Sequence, residues 1–169
     1  MKLSVLMKGK TPSPTFEGFV TNDDYVLAVD CTATTSPAAK EGDYSVAQMG
    51  VAGLDAQLNP ITQDKTYIRA GQSSIKTGNQ RSFAVSGDRY VGDEFQDFAL
   101  SHGVKYGVGN AVVRDYVYFN VLTGKGEKGK VAIIVNSDGS GDAGESTEID
   151  IELKKSGDAP TEYTYTAVP

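Results

Sequence analysis

The clearest pattern of apolar and polar positions predicts a strand, a turn and a second strand between residues 111 and 136. Residues 113–121 alternate, as in a strand with one buried face. The side opposite the valines and Phe119 carries Arg114, Tyr116, Tyr118 and Asn120. Glycines and lysines in residues 124–130 predict a chain reversal. Residues 131–135 are apolar on both faces, so we expect this strand to be covered on both sides, at the centre of a larger β structure.

Residues 148–153 form a second alternating stretch and predict a strand with one solvent-facing side. Its apolar positions are Ile149, Ile151 and Leu153, and its acidic positions are Glu148, Asp150 and Glu152. Two interpretations of the acidic row remain open. It is either the wet face of an ordinary sheet or an acidic surface that faces a polyanion which must not adhere.

Two further predicted strands, residues 64–70 and 80–86, flank the polar, glycine-rich residues 71–79 and predict a long hairpin with this segment as its tip. Such a tip cannot belong to a core, so it either stays in solvent or contacts another molecule. Shorter apolar stretches add strands at residues 16–20, 25–32, 44–54 and 163–166, with a bulge at the glycines of the third. The segment of residues 32–42 predicts a loop.

One segment, residues 92–103, has the pattern of a helix. Asp93 and Gln96 form a start resembling a capping box, and Phe95 and Phe98 lie on one stripe that we expect to pack on a sheet. By contrast, residues 1–14 contain Pro12 and Pro14 and predict an extended N-terminal arm.

Composition narrows the class of protein. A chain of 169 residues that is 39% hydrophobic suits one core, so we expect a single domain over residues 1–169. The formal net charge of −6 argues against a protein that grips nucleic acid through clustered lysine and arginine. No apolar stretch approaches about 18 residues, which argues against a membrane span. Cys31 is the single cysteine and no signal peptide pattern is present, so we expect an unprocessed chain made in a reducing compartment.

Residues that carry chemistry are few, and we expect neither an enzyme nor a cofactor. His102 is the single histidine, so no serine, histidine and aspartate set or zinc pattern can be assembled. The sequence GKGEKGK lacks the spacing of a phosphate loop. Asp138, Asp142 and Glu145 lie among glycines and invite a calcium site, but their spacing differs from that of known calcium loops. An alternative is therefore a β-sandwich carbohydrate-binding or adhesin module, with or without calcium, although the absence of tryptophan disfavours it.

Taken together, these features resemble the tail tube proteins, or major tail proteins, of tailed bacteriophages. Most of the chain from about residue 43 takes part in the resemblance. The stretches that carry it are YSVAQMGVAGLDA, DKTYIRAG, VRDYVYFNVLTGKGEKGKVAIIVN and GDAGESTEIDIEL. The resemblance implies a mainly β fold of two packed antiparallel sheets, either a sandwich or a partial barrel. One short helix flanks these sheets, and a long hairpin and an N-terminal arm extend from them.

The resemblance also implies a function. Such a protein forms homohexameric rings that stack into the tail tube of a virion, through which DNA passes without specific binding. Its other partners would be the tape measure, tail terminator and baseplate proteins, and it would be made in the cytoplasm of a bacterial host. The implied assembly-contact residues are Gln72, Ser74, Ile75, Lys76, Asn79, Tyr116 and Tyr118. The implied acidic lumen residues are Glu148, Asp150 and Glu152.

Overall fold

The computed structural model describes residues 1–33, 35–38 and 40–166. Thr34 and Ala39 of the predicted loop at residues 32–42 lie outside these ranges. The strands are β1 (Tyr25–Val29), β2 (Ser45–Val46), β3 (Val51–Gln57), β4 (Pro60–Tyr67), β5 (Gly71–Asn79), β6 (Ser82–Asp88), β7 (Val113–Asn120), β8 (Lys125–Ser140), β9 (Glu148–Lys155) and β10 (Thr161–Thr164). The α-helices are α1 (Leu3–Leu6), α2 (Glu94–Ala99) and α3 (His102–Lys105), and single 3₁₀ turns span Asn22–Asp24, Glu41–Asp43 and Gly109–Val112.

Eight strands form one antiparallel sheet in the order β2-β1-β7-β8-β9-β6-β3, with β10 paired to the first part of β8. Seven strands side by side would place β2 and β3 about 29 Å apart in a flat sheet. Only residues 47–50 connect these two strands, and that connection can span no more than about 18 Å. The sheet must therefore curl. The predicted mainly β fold is confirmed, and the partial barrel is the form observed.

The inner face of the curled sheet holds the main core. Every strand of the path except β2 contributes to it, and α2 and α3 cover its open side with Phe95, Ala99 and Val104. The predicted helix at residues 92–103 is interrupted after Ala99, and α3 starts at His102. Asp93 caps α2 as predicted, because its side chain accepts a hydrogen bond from the backbone N–H of Gln96.

A second core lies on the outer face of β1 and β7. There Leu3 and Met7 are buried against Val117 and Phe119. The prediction of an extended arm at residues 1–14 is therefore wrong for its first half, which forms α1 and packs on its own chain. Pro12 and Pro14 disfavour helix only near their own positions, and the apolar residues before them are free to fold. The strand predicted at residues 16–20 is also wrong, because this exposed segment joins no sheet.

The central hairpin differs from its prediction at the turn. The chain reverses at residues 121–124, and residues 124–130 mostly belong to β8. A Cβ atom on Gly126 would lie 2.0 Å from the Tyr118 carbonyl oxygen, so glycine here permits close approach of β7 and β8. The second apolar strand is also covered less than predicted, because Ile134 on its outer face is 36% exposed.

Candidate assembly surfaces

The most prominent surface is a two-stranded hairpin formed by β4 and β5, which, within the described part of the chain, pair only with each other. It continues the β3–β6 ribbon, because Gln57 pairs with Ser82 and Pro60 pairs with Asn79. β9 reaches only as far as Ser82 on this ribbon. The eight residues of β4 therefore project about 25 Å beyond the sheet.

The register of this hairpin corrects its sequence prediction. Residues 71–79 are the strand β5, and the turn lies at residues 68–70. Gln72, Ser74, Ile75 and Lys76 are accordingly strand residues, and all four are exposed. A strand that is polar on one face and contacts no core shows little hydrophobic periodicity in its sequence. The prediction therefore paired residues 64–70 with residues 80–86, whereas the partner of β4 is β5.

The two faces of the hairpin differ in polarity. Ile75 lies across from Gln63 and therefore shares a face with Ile61 and Tyr67. These three side chains are 44%, 54% and 47% exposed, respectively. We call this the apolar face because it carries all the large apolar side chains of the two strands, although Gln63, Lys65 and Ser73 also lie on it. The opposite face is polar, and there Ser74 donates a hydrogen bond to Asp64. Gln72, Ser74 and Lys76 lie on this polar face. An apolar face without a partner in its own chain is typical of an interaction surface.

A buried polar cluster fixes the base of the hairpin. The Nε atom of Arg81 lies 2.7 Å from Oε1 of Glu127, and the Tyr116 hydroxyl donates to the same oxygen at 2.8 Å. The guanidinium of Arg81 lies 4.5 Å from the ring centre of Phe83 and 5.1 Å from that of Tyr118. This arrangement combines an ion pair with cation–π contacts in a place with little water.

Tyr116 and Tyr118, the two tyrosines among the implied assembly-contact residues, both lie at this cluster. Tyr116 is 1% exposed, so it supports the core and does not form a contact surface in the folded chain. Burial and the neighbouring Glu127 carboxylate both raise the pKa of Tyr116. Tyr118 is half-buried and stacks on Tyr25 with 5.4 Å between ring centres. Both tyrosines point to the inner face, because the curl of the sheet encloses the side of β7 that carries them. The alternation in the sequence did not indicate which side of this strand would be enclosed.

A cleft of about 540 Å³ lies beside the hairpin base. It is lined by Leu58, Lys76, Gly78, Asn79, Arg81, Glu127, Lys155, Ala159 and Pro160. The Oδ1 atom of Asn79 is buried and has no hydrogen-bond partner among the described residues. Asn79 therefore keeps an open acceptor, and it remains a candidate contact residue.

The acidic row lies on the outer face of β9. Glu148 is exposed and Asp150 and Glu152 are half-buried, whereas the alternating apolar residues face the core. The predicted strand with one solvent-facing side is thus confirmed. The Oε2 atom of Glu152 lies 3.4 Å from Nζ of Lys154, which belongs to the same strand. The charge of one carboxylate of the row is therefore partly neutralised.

The loop after β8 does not gather a metal site. Residues 137–140 still belong to β8, and the loop is limited to residues 141–147. Asp138 pairs with Lys105 at 2.6 Å. Across the ranges that the structure describes, no group of three or more histidine, cysteine, aspartate or glutamate residues could hold a metal ion.

The remaining reactive residues have structural surroundings. His102 begins α3 instead of lying near the end of one helix over residues 92–103, and its ring centre lies 4.9 Å from that of Tyr106. Burial raises the pKa of Cys31 to about 12, as expected for an unreactive thiol. In the described part of the chain, no helix has the length and apolar character needed to cross a membrane.

Two features of these surfaces were missed from the sequence. Ile61 and Tyr67 are six residues apart and so share one side of a strand, a spacing that is visible in the sequence and could have indicated the apolar hairpin face. The role of Arg81 had no such signal, because its partners come from three separate strands.

Among the solved structures that share this fold are two from gene transfer agent particles. One is a chain from the tail of an empty gene transfer agent (GTA) particle, determined by helical refinement with C6 symmetry. Its TM-score is 0.59 at 16% identity, and the match covers 87% of this chain and 100% of that chain. The other is a chain from the virion of a native GTA particle, with a TM-score of 0.57 at 13% identity, covering 86% of this chain and 100% of that chain. No protein-family model and no curated protein sequence matches this chain. At these identities the similarity establishes the fold.

Proposed function

We propose that this chain is the structural subunit of a phage-like tail tube, which it builds by forming hexameric rings that stack. The observation that carries the proposal is the match over the full length of a chain from a helical tail with C6 symmetry. In this role the protein acts through contacts between its own copies.

The hairpin supports self-assembly on physical grounds. Residues 60–77 are all exposed in the single chain, yet one hairpin face carries three large apolar side chains. A two-stranded hairpin is at best marginally stable in water. Burial of these side chains against another copy would add the apolar contact that the single chain lacks. We therefore assign assembly contacts to Ile75 with Ile61 and Tyr67 on the apolar face, and to Gln72, Ser74 and Lys76 on the polar face.

We further propose that Glu148, Asp150 and Glu152 face the lumen of the tube. They share one face of β9, on the side of the sheet away from the main core. A lumen that presents carboxylates repels phosphate, and even six to ten phosphate contacts produce strong, salt-dependent binding. DNA would therefore pass without adhering. The tape measure, tail terminator and baseplate proteins are the further partners that a tube of this kind requires.

Negative-stain electron microscopy of the purified protein tests the tube proposal. We expect rings with six-fold symmetry and tubes built from them. Ile61→Thr/Ile75→Thr removes apolar area from the hairpin face and should reduce the fraction of protein in tubes. Val5→Thr/Val20→Thr is a matched control, since both valines are exposed and lie off the hairpin. A chain that stays monomeric at high concentration, with no tube in any field, would contradict the proposal.

The lumen proposal has its own experiment. The variant Asp150→Asn/Glu152→Gln should still form tubes but retain labelled DNA at low salt, whereas wild-type tubes release it. The control variant Asp23→Asn/Glu17→Gln removes the same charge elsewhere. Equal DNA retention by both variants would show that the row does not line the path of DNA.

A further inference from the structure

The two ends of the folded chain carry opposite charge. The hairpin, residues 60–79, contains Lys65, Arg69 and Lys76 against the single carboxylate of Asp64, a formal charge of +2 in a chain of −6. All four residues are exposed. None of the three cationic groups lies within 4.0 Å of a carboxylate in the described ranges.

The end of the sheet opposite the hairpin is acidic. Residues 141–148 contain Asp142, Glu145 and Glu148 and no lysine or arginine, a formal charge of −3. All three carboxylates are exposed, and no cationic group of the described residues pairs with them within 4.0 Å. The single chain thus leaves both sets of charges unsatisfied.

Strand β6 shows that these surfaces lie at opposite ends. Its first residue, Ser82, follows the hairpin, and its last residue, Asp88, pairs with Glu148. The seven residues of β6 separate the two ends by about 20 Å. Ser146 of the acidic loop also donates a hydrogen bond to Asp88 at 2.9 Å. One copy therefore presents a cationic projection at one end and an anionic loop at the other.

Apolar side chains accompany the charges at both ends. The hairpin presents Ile61, Tyr67 and Ile75 together with Ile68 at its turn, which is 93% exposed. At the acidic end, the Arg89 amide donates to the carbonyl of Thr147 at 2.7 Å and so holds the following residues beside the loop. Tyr90 and Val91, which follow Arg89, are 48% and 78% exposed. The two surfaces match in both charge and polarity.

We propose that the hairpin of one copy docks on the acidic end of a second copy, formed by residues 88–91 and 141–148, and that this contact joins successive rings. The inference rests on the proposed tube function and specifies the stacking contact within it. Because the two surfaces differ and lie at opposite ends, the contact is head-to-tail, and each docked copy exposes a new acceptor. When the rotation between successive copies does not close a ring, contacts of this kind repeat and produce filaments. Cationic and anionic groups that meet at the contact also set its register and select against wrong orientations.

Charge exchange tests this docking. Lys65→Glu/Arg69→Glu makes the hairpin acidic, and Asp142→Lys/Glu145→Lys makes the loop basic. We expect each variant alone to lose at least tenfold in the fraction of protein that sediments as tubes at low salt. The four substitutions together in one chain should restore sedimentation, because the opposite charges then meet again with their signs exchanged. Wild-type tubes should shorten as sodium chloride rises from 50 to about 500 mM, since salt screens exposed charges.

The control variant Lys8→Glu/Lys10→Glu has the same net charge as the hairpin variant, and its substitutions lie off the hairpin. It should stack as the wild type does. Urea midpoints equal to that of the wild type would show that each variant is folded. If the wild type forms tubes and the hairpin variant forms them equally well, or the combined variant recovers nothing, the docking contact is wrong while the tube function stands. If the wild type forms no rings or tubes, the tube function and this contact both fail.

Discussion

Replacing Arg81 with methionine should destabilise the protein far more than replacing an ordinary surface cation. Methionine keeps much of the apolar stem but removes the guanidinium that pairs with Glu127. The carboxylate then stays at a site where its side chain is only 24% exposed, with the Tyr116 hydroxyl as its remaining partner. The rings of Phe83 and Tyr118 also lose the cation that lies over them.

The expected loss follows from these contacts. Removing one partner of a buried ion pair costs about 3–5 kcal/mol, because the other charge is left uncompensated. Glu127 is partly exposed and keeps its hydrogen bond from Tyr116. We therefore expect Arg81→Met to lower the free energy of unfolding by about 3 kcal/mol, the lower end of this range. A loss of this size lowers the melting temperature by about 6–12 °C in a chain of this length.

Urea unfolding followed by circular dichroism measures this loss. Lys105→Met is the matched control, because Lys105 pairs with Asp138 at 2.6 Å but both side chains are more exposed, and we expect a much smaller loss of stability than for Arg81→Met. The double variant Arg81→Met/Glu127→Leu should regain at least about 1 kcal/mol relative to Arg81→Met, since no unpaired charge remains. Equal losses for Arg81→Met and Lys105→Met, or no recovery in the double variant, would refute the role of this cluster.

Three further predictions concern packing and the thiol. Phe95→Ala should lower the free energy of unfolding by about 3–5 kcal/mol, because Phe95 is fully buried. Phe98→Ala should lower it clearly less, because Phe98 is only partly buried. Urea midpoints that rank the two variants the other way would contradict this. Gly126→Ala should destabilise by at least about 1–3 kcal/mol, since the new methyl group would overlap the β7 backbone. By comparison, Gly103→Ala, with open space around it, should change stability by no more than about 1 kcal/mol in thermal unfolding. The Cys31 thiol, whose pKa burial raises to about 12, should react slowly with a disulfide reagent at pH 8 and rapidly in denaturant; rapid reaction of the native protein would show an accessible thiolate.

Local patterns predicted those parts of the fold that local physics decides. The alternation of residues 148–153 placed Glu148, Asp150 and Glu152 on one solvent-facing side because a strand side chain changes face at every residue. Asp93 was identified as a helix cap because its bond to the Gln96 amide spans only three residues.

The errors arose where distant residues decide the outcome. Gly126 looked like a turn residue, but the approach of Tyr118 and Phe119 on β7 makes it a strand residue. Tyr116 looked like a surface residue, but the curl of the sheet buries it beside Phe83. Residues 71–79 looked like a tip because a strand that packs on no core has no periodicity to reveal it.

The cluster at Arg81 also connects stability with assembly. A free two-stranded hairpin would sample many orientations, and docking would have to restrict them at a cost in entropy. Arg81 follows β5 by two residues and holds the hairpin base to β7 and β8 through Tyr118 and Glu127. The hairpin is therefore oriented before it meets another copy. At a temperature where Arg81→Met and Lys105→Met are both fully folded, Arg81→Met should still form tubes more slowly, as followed by light scattering. Equal rates would mean that the cluster stabilises the core without orienting the hairpin.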